Sequence, residues 1–215
     1  MTNAKWQLNT VTIANIILMN TIPFQIYLTS NTDLDEVLIN TLTKNCTSKF
    51  FKKGEFLLHE GDTCSYSYFV ENGLLRQYGI DPNGKEHILQ FAPEGWFVTD
   101  RDSLFFKTPA SYFIQALEDT YVLMIDDIFF LRLSESYPNF LAFNDKLLHN
   151  HIRQLTKRIY ALLSATAEER YISFTHTYPD ILLRVPQAMV ASYLGITPES
   201  LSRVRKALAT KNFAK

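Results

Sequence analysis

Cysteine is scarce: Cys46 and Cys64 are the only two in 215 residues, and they lie far apart. A disulfide framework is therefore not expected, and cysteines alone cannot supply the four ligands of an iron–sulfur cluster. Buried or half-buried free thiols are the expected state. An excess of one charge is missing too. Lys and Arg number 21 against 22 Asp and Glu, for a net charge of −1, so the overall balance points to no polyanionic partner. No apolar run is clean enough to span a bilayer. Residues 11–28 come nearest, but Asn15, Asn20, Pro23 and Gln25 interrupt them, and no small-residue cleavage site goes with them. A cytoplasmic protein without membrane contact is the expectation. Metal-ligand spacing is absent as well. His149 and His151 fall on different helix faces, and His59, His87 and His176 are scattered. No P-loop, nucleophile elbow or haem-ligand pattern occurs. Neither enzymatic activity nor a cofactor is expected.

What is present falls into zones. Hydrophobic residues make up 47% of the chain, enough for a sizeable core. Six of the seven glycines, Gly54, Gly61, Gly73, Gly79, Gly84 and Gly95, cluster between residues 54 and 95. They punctuate short β-rich runs such as "EFLLHEGD" and "SYFVENGLLRQYGI". Asp81-Pro82-Asn83-Gly84 predicts a hairpin turn, since Pro82 pre-sets its φ and Asn83 and Gly84 tolerate positive φ. With "SYFIQALEDTYVLMID" adding two more strands, residues 50–125 read as an antiparallel β roll or barrel.

After Pro138 the period becomes helical. Leu141, Leu148, Leu155 and Leu162 recur every seven residues, with Ile152 and Ile159 between them. Leu at d with β-branched Ile at a favours a parallel two-stranded coiled coil, which predicts a homodimer seam on Leu148, Ile152, Leu155, Ile159 and Leu162. Asp145 weakens its N-terminal end. A shorter helix follows from Thr166, whose hydroxyl can cap it, with Glu168 and Glu169 in the first turn and Tyr178-Pro179 at its end.

The last zone is basic. From Ala165 onward seven cations (Arg170, Arg184, Arg203, Arg205, Lys206, Lys211, Lys215) face four acids (Glu168, Glu169, Asp180, Glu199), about +3 against about −4 for the remainder. Met189, Val190, Tyr193 and Leu194 outline a short helix opened by Pro186 and stopped by Gly195. Thr197 caps the next helix, Pro198 fits its first position, and Leu201, Val204 and Leu208 form its inward stripe. Glu199, Ser200, Ser202, Arg203 and Lys206 are left outward. This is a helix–turn–helix that presents the polar start of its second helix.

"VPQAMVASYLGITPESLSRVRKAL" resembles the helix–turn–helix of the Crp/Fnr superfamily, the bacterial regulators named for the cyclic-AMP receptor protein. "GEFLLHEGD" and "SYFVENGLLRQY" resemble the first strands of that family's roll, and the heptad helix resembles its dimer helix. The resemblance implies an α+β chain: a β-roll sensor with N-terminal helices over residues 1–135, a dimerisation helix over 136–164 and a DNA-binding module over 165–215. It places Glu199 and Arg203 at base edges, with Pro198, Ser200 and Ser202 beside phosphates. The chemistry fits, since arginine donates a fork to guanine and glutamate accepts from cytosine N4. Thr197 and Lys206 complete the expected DNA-binding set.

Two departures from the family pattern stand out. Members that bind cyclic nucleotides carry a Gly-Glu ribose contact and then an arginine for the cyclic phosphate. Here "EGWFVTDRDSLFFKTPASYF" has Thr99-Asp100 and Pro109 at those places, so a buried phosphate would lack its partner. Any effector is therefore expected to be something other than a cyclic nucleotide, in a pocket around Trp96, Phe97, Thr99, Asp100, Ala110 and Ser111. The second departure is the short segment after the recognition helix, which predicts a missing or reduced wing. Double-stranded DNA and a second copy of the chain are the expected partners, with a small-molecule effector and RNA polymerase as further candidates. The alternative is a β-roll sensor or cupin-like enzyme that binds no DNA and uses its C-terminal helices for assembly; the dispersed histidines argue against the enzyme.

Overall fold

The computed structural model describes residues 23–44 and 46–213. Residues 11–22 of the apolar run, the start of the N-terminal domain and Lys215 lie outside them. The architecture is α+β. Eight strands form the roll: β1 (Thr47–Phe51), β2 (Phe56–Leu58), β3 (Ser67–Asn72), β4 (Leu75–Ile80), β5 (Glu86–Ala92), β6 (Phe97–Val98), β7 (Phe113–Ala116) and β8 (Thr120–Ile125). They make two four-stranded antiparallel sheets, ordered β1-β8-β3-β6 and β2-β7-β4-β5. The β4–β5 hairpin closes at the expected turn. Asp81 N–H donates to Lys85 O at 3.0 Å, and Asp81 Oδ1 accepts from the N–H groups of Asn83 and Lys85 at 2.9 and 3.1 Å. Gly73 joins β3 to β4 at φ +103°, where a Cβ would stand 2.5 Å from Thr120 Oγ1, so the junction accepts only glycine.

Nine helices occur among the described residues. α1 (Pro23–Asn31) and α2 (Glu36–Thr43) precede the roll, α3 (Arg101–Phe106) interrupts it, and α4 (Asp127–Ser136) follows it. Then come the long α5 (Phe140–Ser164), α6 (Ala167–Thr177), the single turn α7 (Ile181–Arg184), α8 (Gln187–Leu194) and α9 (Pro198–Phe213). None is long and apolar enough to cross a membrane. The expected dimerisation segment at 136–164 is thus α5 preceded by the end of α4. Thr166 caps α6 as anticipated, in a reciprocal box with Glu169: Thr166 N–H donates to the carboxylate at 2.8 Å and Glu169 N–H to the hydroxyl at 3.2 Å.

The roll has cores on three levels. Between the sheets lie Phe51, Leu58, Tyr68, Val70, Leu75, Val98, Ile114 and Val122. Outside the β1-containing sheet, Phe69, Leu123 and Ile125 pack under Phe24, Leu28, Ile39, Phe129 and Leu133 of the flanking helices. Outside the β2-containing sheet, Leu74, Tyr78, Ile88 and Phe91 pack under Tyr171, Phe174, Tyr178, Val190, Leu194 and Leu201. β3 therefore reads as the unbroken run Tyr68-Phe69-Val70 because both its faces are covered. The C-terminal module is the second lid of the roll.

Polar groups fix that lid in place. Ser192 Oγ of α8 donates to Glu86 O and accepts from Ile88 N–H, both at 3.0 Å. Arg184 makes two hydrogen bonds to Glu94, at 3.0 and 2.9 Å, and pairs with Glu118 as well. Arg158 of α5 donates to Leu89 O, to Ile88 O at 3.0 Å and to Tyr193 O at 3.2 Å, with its guanidinium 3.9 Å from the Tyr193 ring centroid.

Candidate nucleic-acid interface

α8 and α9 form the expected helix–turn–helix. Pro186 takes the cap position of α8 rather than its first helical residue. Gly195 ends α8 at φ +65°, and its N–H and that of Ile196 return to Ser192 O and Ala191 O at 3.1 and 3.0 Å. A Cβ at Gly195 would stand 3.1 Å from Leu162 Cδ2, so the turn rests on the last leucine of the α5 heptad. Thr197 starts α9: its Oγ1 accepts from Ser200 N–H at 3.2 Å, and its carbonyl accepts from Leu201 N–H at 3.0 Å.

Leu201 is fully buried, and Val204 and Leu208 are half-buried against the same core. That leaves Thr197, Pro198, Glu199, Ser202, Arg203 and Lys206 exposed and Ser200 half-buried, so the anticipated binding residues share one outward surface. Arg203 Nη2 donates to Ser200 Oγ at 3.2 Å, and Thr197 Oγ1 bonds Ser200 Oγ at 3.3 Å. The Thr197 hydroxyl, followed by the nearby Arg203 charge, holds the Glu199 carboxyl below the usual range, so Glu199 is an anion beside a cation. Arg203, Lys206, Ala207, Thr210 and Lys211 line an open basic depression on this side. Lys211 also pairs with Glu168 of α6 at 2.7 Å. α9 is the last element among the described residues.

On α5, Ile152, Leu155, Ile159 and Leu162 are 55%, 46%, 58% and 41% exposed, and Leu148 is half-buried. From Ile152 to Leu162 the heptad stripe is therefore largely uncovered within one chain. Arg158, which flanks that stripe, turns instead toward β5 and Tyr193.

The anticipated effector residues separate. Thr99, Asp100, Ala110 and Ser111 meet at one corner of the roll. Asp100 is 1% exposed; its Oδ1 caps α3 by accepting from Ser103 N–H at 3.0 Å, and its Oδ2 accepts from Ser111 N–H at 2.9 Å. Thr99 donates to Tyr66 O at 3.1 Å and offers its carbonyl to Gln77 Nε2 at 3.1 Å. Ala110 is clamped by backbone bonds to Gly61 N–H and Asp62 O. Trp96 leans on Tyr178, with ring centroids 5.3 Å apart, while Phe97 packs with Phe24, Tyr27 and Phe69 under the opposite lid. The Asp100 cap has a sequence signal, an aspartate three residues before Ser103 at a helix start. Among the described residues no three His, Cys, Asp or Glu side chains gather as metal ligands.

Residues 48–137 match the family described as cyclic nucleotide-binding domain. Among curated proteins, the chain is 28% identical over 166 residues to the transcriptional activator protein anr of Pseudomonas aeruginosa, covering 71% of this chain and 66% of that one. It is likewise 28% identical over 167 residues to the fumarate and nitrate reduction regulatory protein of Yersinia pestis, covering 73% and 66%. The chain spans just under two thirds of the length of the first curated relatives it matches. The structure of FixK2 from Bradyrhizobium japonicum superposes with a TM-score of 0.66 at 22% identity, covering 78% of this chain and 86% of that one, a likeness of fold. Sheet order, matched domain and named relatives converge on one likeness: the roll is similar to a cyclic nucleotide-binding domain, and the chain is similar to regulators of the Crp/Fnr type.

Proposed function

We propose that the chain is a homodimeric DNA-binding transcription regulator that reads a two-fold-symmetric site with α9. The observation that carries this reading is the division of α9 itself. Leu201 anchors one side in the core, while Glu199, Ser202, Arg203 and Lys206 stand together in solvent at the helix start, with Arg203 held by Ser200. A helix start of this kind enters the major groove, where an arginine fork meets guanine O6 and N7 and lysine meets phosphate. Thr197, Pro198 and Ser200 lie where the backbone passes. The stripe from half-buried Leu148 through the exposed Ile152, Leu155, Ile159 and Leu162 supports pairing of two long helices, which sets two reading helices about one DNA turn apart.

In this reading the chain is cytoplasmic and carries no catalytic step or cofactor, and RNA polymerase is its onward partner. The Thr99–Ser111 corner is the sensor segment, and an effector other than a cyclic nucleotide acts there if one acts at all. The relatives' names, activator and regulatory protein, support the regulator. Selection of bound duplexes from random DNA tests it. The expected result is an enriched inverted repeat, and no enrichment over bulk DNA would refute the reading.

A further inference from the structure

Arg158 sits at a g position of the α5 heptad, next to Ile159 and one turn before Leu162. A g residue ordinarily reaches across the seam to the partner helix. Arg158 does the reverse. Its guanidinium runs back into its own chain, donating to Leu89 O and Ile88 O of β5 and to Tyr193 O at the end of α8, and it stacks on the Tyr193 ring at 3.9 Å. Among the described residues no carboxylate pairs with it. Its charge is balanced by three carbonyl dipoles and one ring face, and its Nε is buried without an acceptor among the described residues. Such a cation is stable only while those carbonyls converge on it, so it penalises any displacement of α8 from α5 or β5.

Two neighbours act on the same joint. Ser192, one residue before Tyr193, bonds β5 through Ile88 N–H and Glu86 O. Leu162, a seam residue, packs beneath Gly195 in the turn. The seam, the roll and the reading module therefore meet within α5 residues 158–162.

We propose that Arg158 is a positioning residue that sets the distance and rotation between the two reading helices of the dimer, and thereby the half-site spacing the protein accepts. The assignment rests on the DNA-reading function above and adds to it a geometric determinant that touches no DNA. Each extra base pair between half-sites rotates one relative to the other by roughly 34° and moves it by about 3.4 Å. A rigid joint cannot follow that step. A loosened one can.

The test uses the full-length dimer and the selected inverted repeat, with its central spacer lengthened or shortened one base pair at a time. Binding is followed by fluorescence anisotropy. The wild-type chain is expected to lose about tenfold in affinity per base pair of misfit, on the order of one mismatched contact. Arg158→Ala and, separately, Ser192→Ala should shrink that loss to about threefold or less. Affinity for an isolated half-site and the sedimentation mass of the dimer should stay unchanged. Arg158→Lys, which keeps a cation near the ring but not the fork, should fall between. If both alanine variants sediment as dimers and keep the wild-type spacer profile, the assignment is wrong while the DNA-reading function stands. A wild-type chain that binds none of the repeats refutes the function, and this assignment with it.

Discussion

Arg203 and Ser200, one turn apart on α9, are hydrogen-bonded through Nη2 and Oγ at 3.2 Å. The bond holds the guanidinium over the exposed start of the helix, beside the Glu199 anion, before any ligand arrives. On the proposed reading this is the base-reading group. Arg203→Ala should cost about 1–3 kcal/mol on the selected site and little on random DNA. Lys206, one turn farther along, should act through phosphate: Lys206→Ala is expected to weaken all sequences alike and lower the salt slope by about one. Anisotropy titrations over a salt series measure both. An Arg203→Ala variant with unchanged specificity would reduce these cations to a solvated face.

The uncovered stripe on α5 gives the second prediction. Ile152 and Ile159 are exposed in the single chain, so replacing both with Asp leaves the fold of each chain unstrained and puts carboxylates only into the seam. The double variant should sediment as a folded monomer with native circular dichroism. A dimer of unchanged mass would place the interface elsewhere.

Cyclic AMP and cyclic GMP should not bind at micromolar concentration. An anionic phosphate at the start of α3 would need the N–H groups of Ser103 and Ser111, and the Asp100 carboxylate already takes both. Calorimetry should show no saturable heat with either nucleotide, and a filled micromolar site would contradict this. Asp100→Ala should destabilise the chain by about 1–2 kcal/mol, as a lost helix cap does. The orphaned Ser111 N–H adds to that cost.

Glu94 gives a pH dependence. Burial pushes its carboxyl upward, but the Arg184 hydrogen bonds and charge outweigh burial and leave it below the ordinary value of 4.5. A depressed carboxyl stabilises the folded chain at pH above its unfolded value. That contribution is lost as pH falls through the folded value. The melting-temperature gap between wild type and Glu94→Gln should therefore be constant from neutrality to about pH 5 and close below pH 4.5. A gap independent of pH would remove Glu94 from the clamp.

Much of this was legible in local pattern. The Asp81–Gly84 turn, the Thr166 cap, the heptad of α5 and the Gly195 break each leave a signal within a few residues, and each reappears in the structure. What local pattern did not disclose is where the pieces rest. Phe91, Tyr178 and Tyr193 are far apart in sequence, yet they belong to one cluster joining β5 to the helices behind it. The heptad places Arg158 beside the seam but says nothing of its acceptors, because Ile88 and Leu89 lie about 70 positions earlier in the chain, beyond any periodicity. Asp100 was read by its place in a family alignment, where its mismatch concealed an ordinary helix cap. Trp96 and Phe97 are adjacent in sequence but face different lids, Trp96 just after the Glu94–Gly95 turn and Phe97 at the start of β6.

Because the helix–turn–helix roofs the outer face of β4 and β5, the roll is not a detachable module. Cutting the chain after Ser164 would bare Leu74, Tyr78, Ile88 and Phe91 to water and leave the guanidinium of Arg158 without Tyr193. The two halves are bound to melt as one cooperative body. A foreign reading head grafted onto this roll would have to bring its own aromatic ceiling, so interchange of heads between such chains is limited by the fit of that ceiling more than by the linker between them.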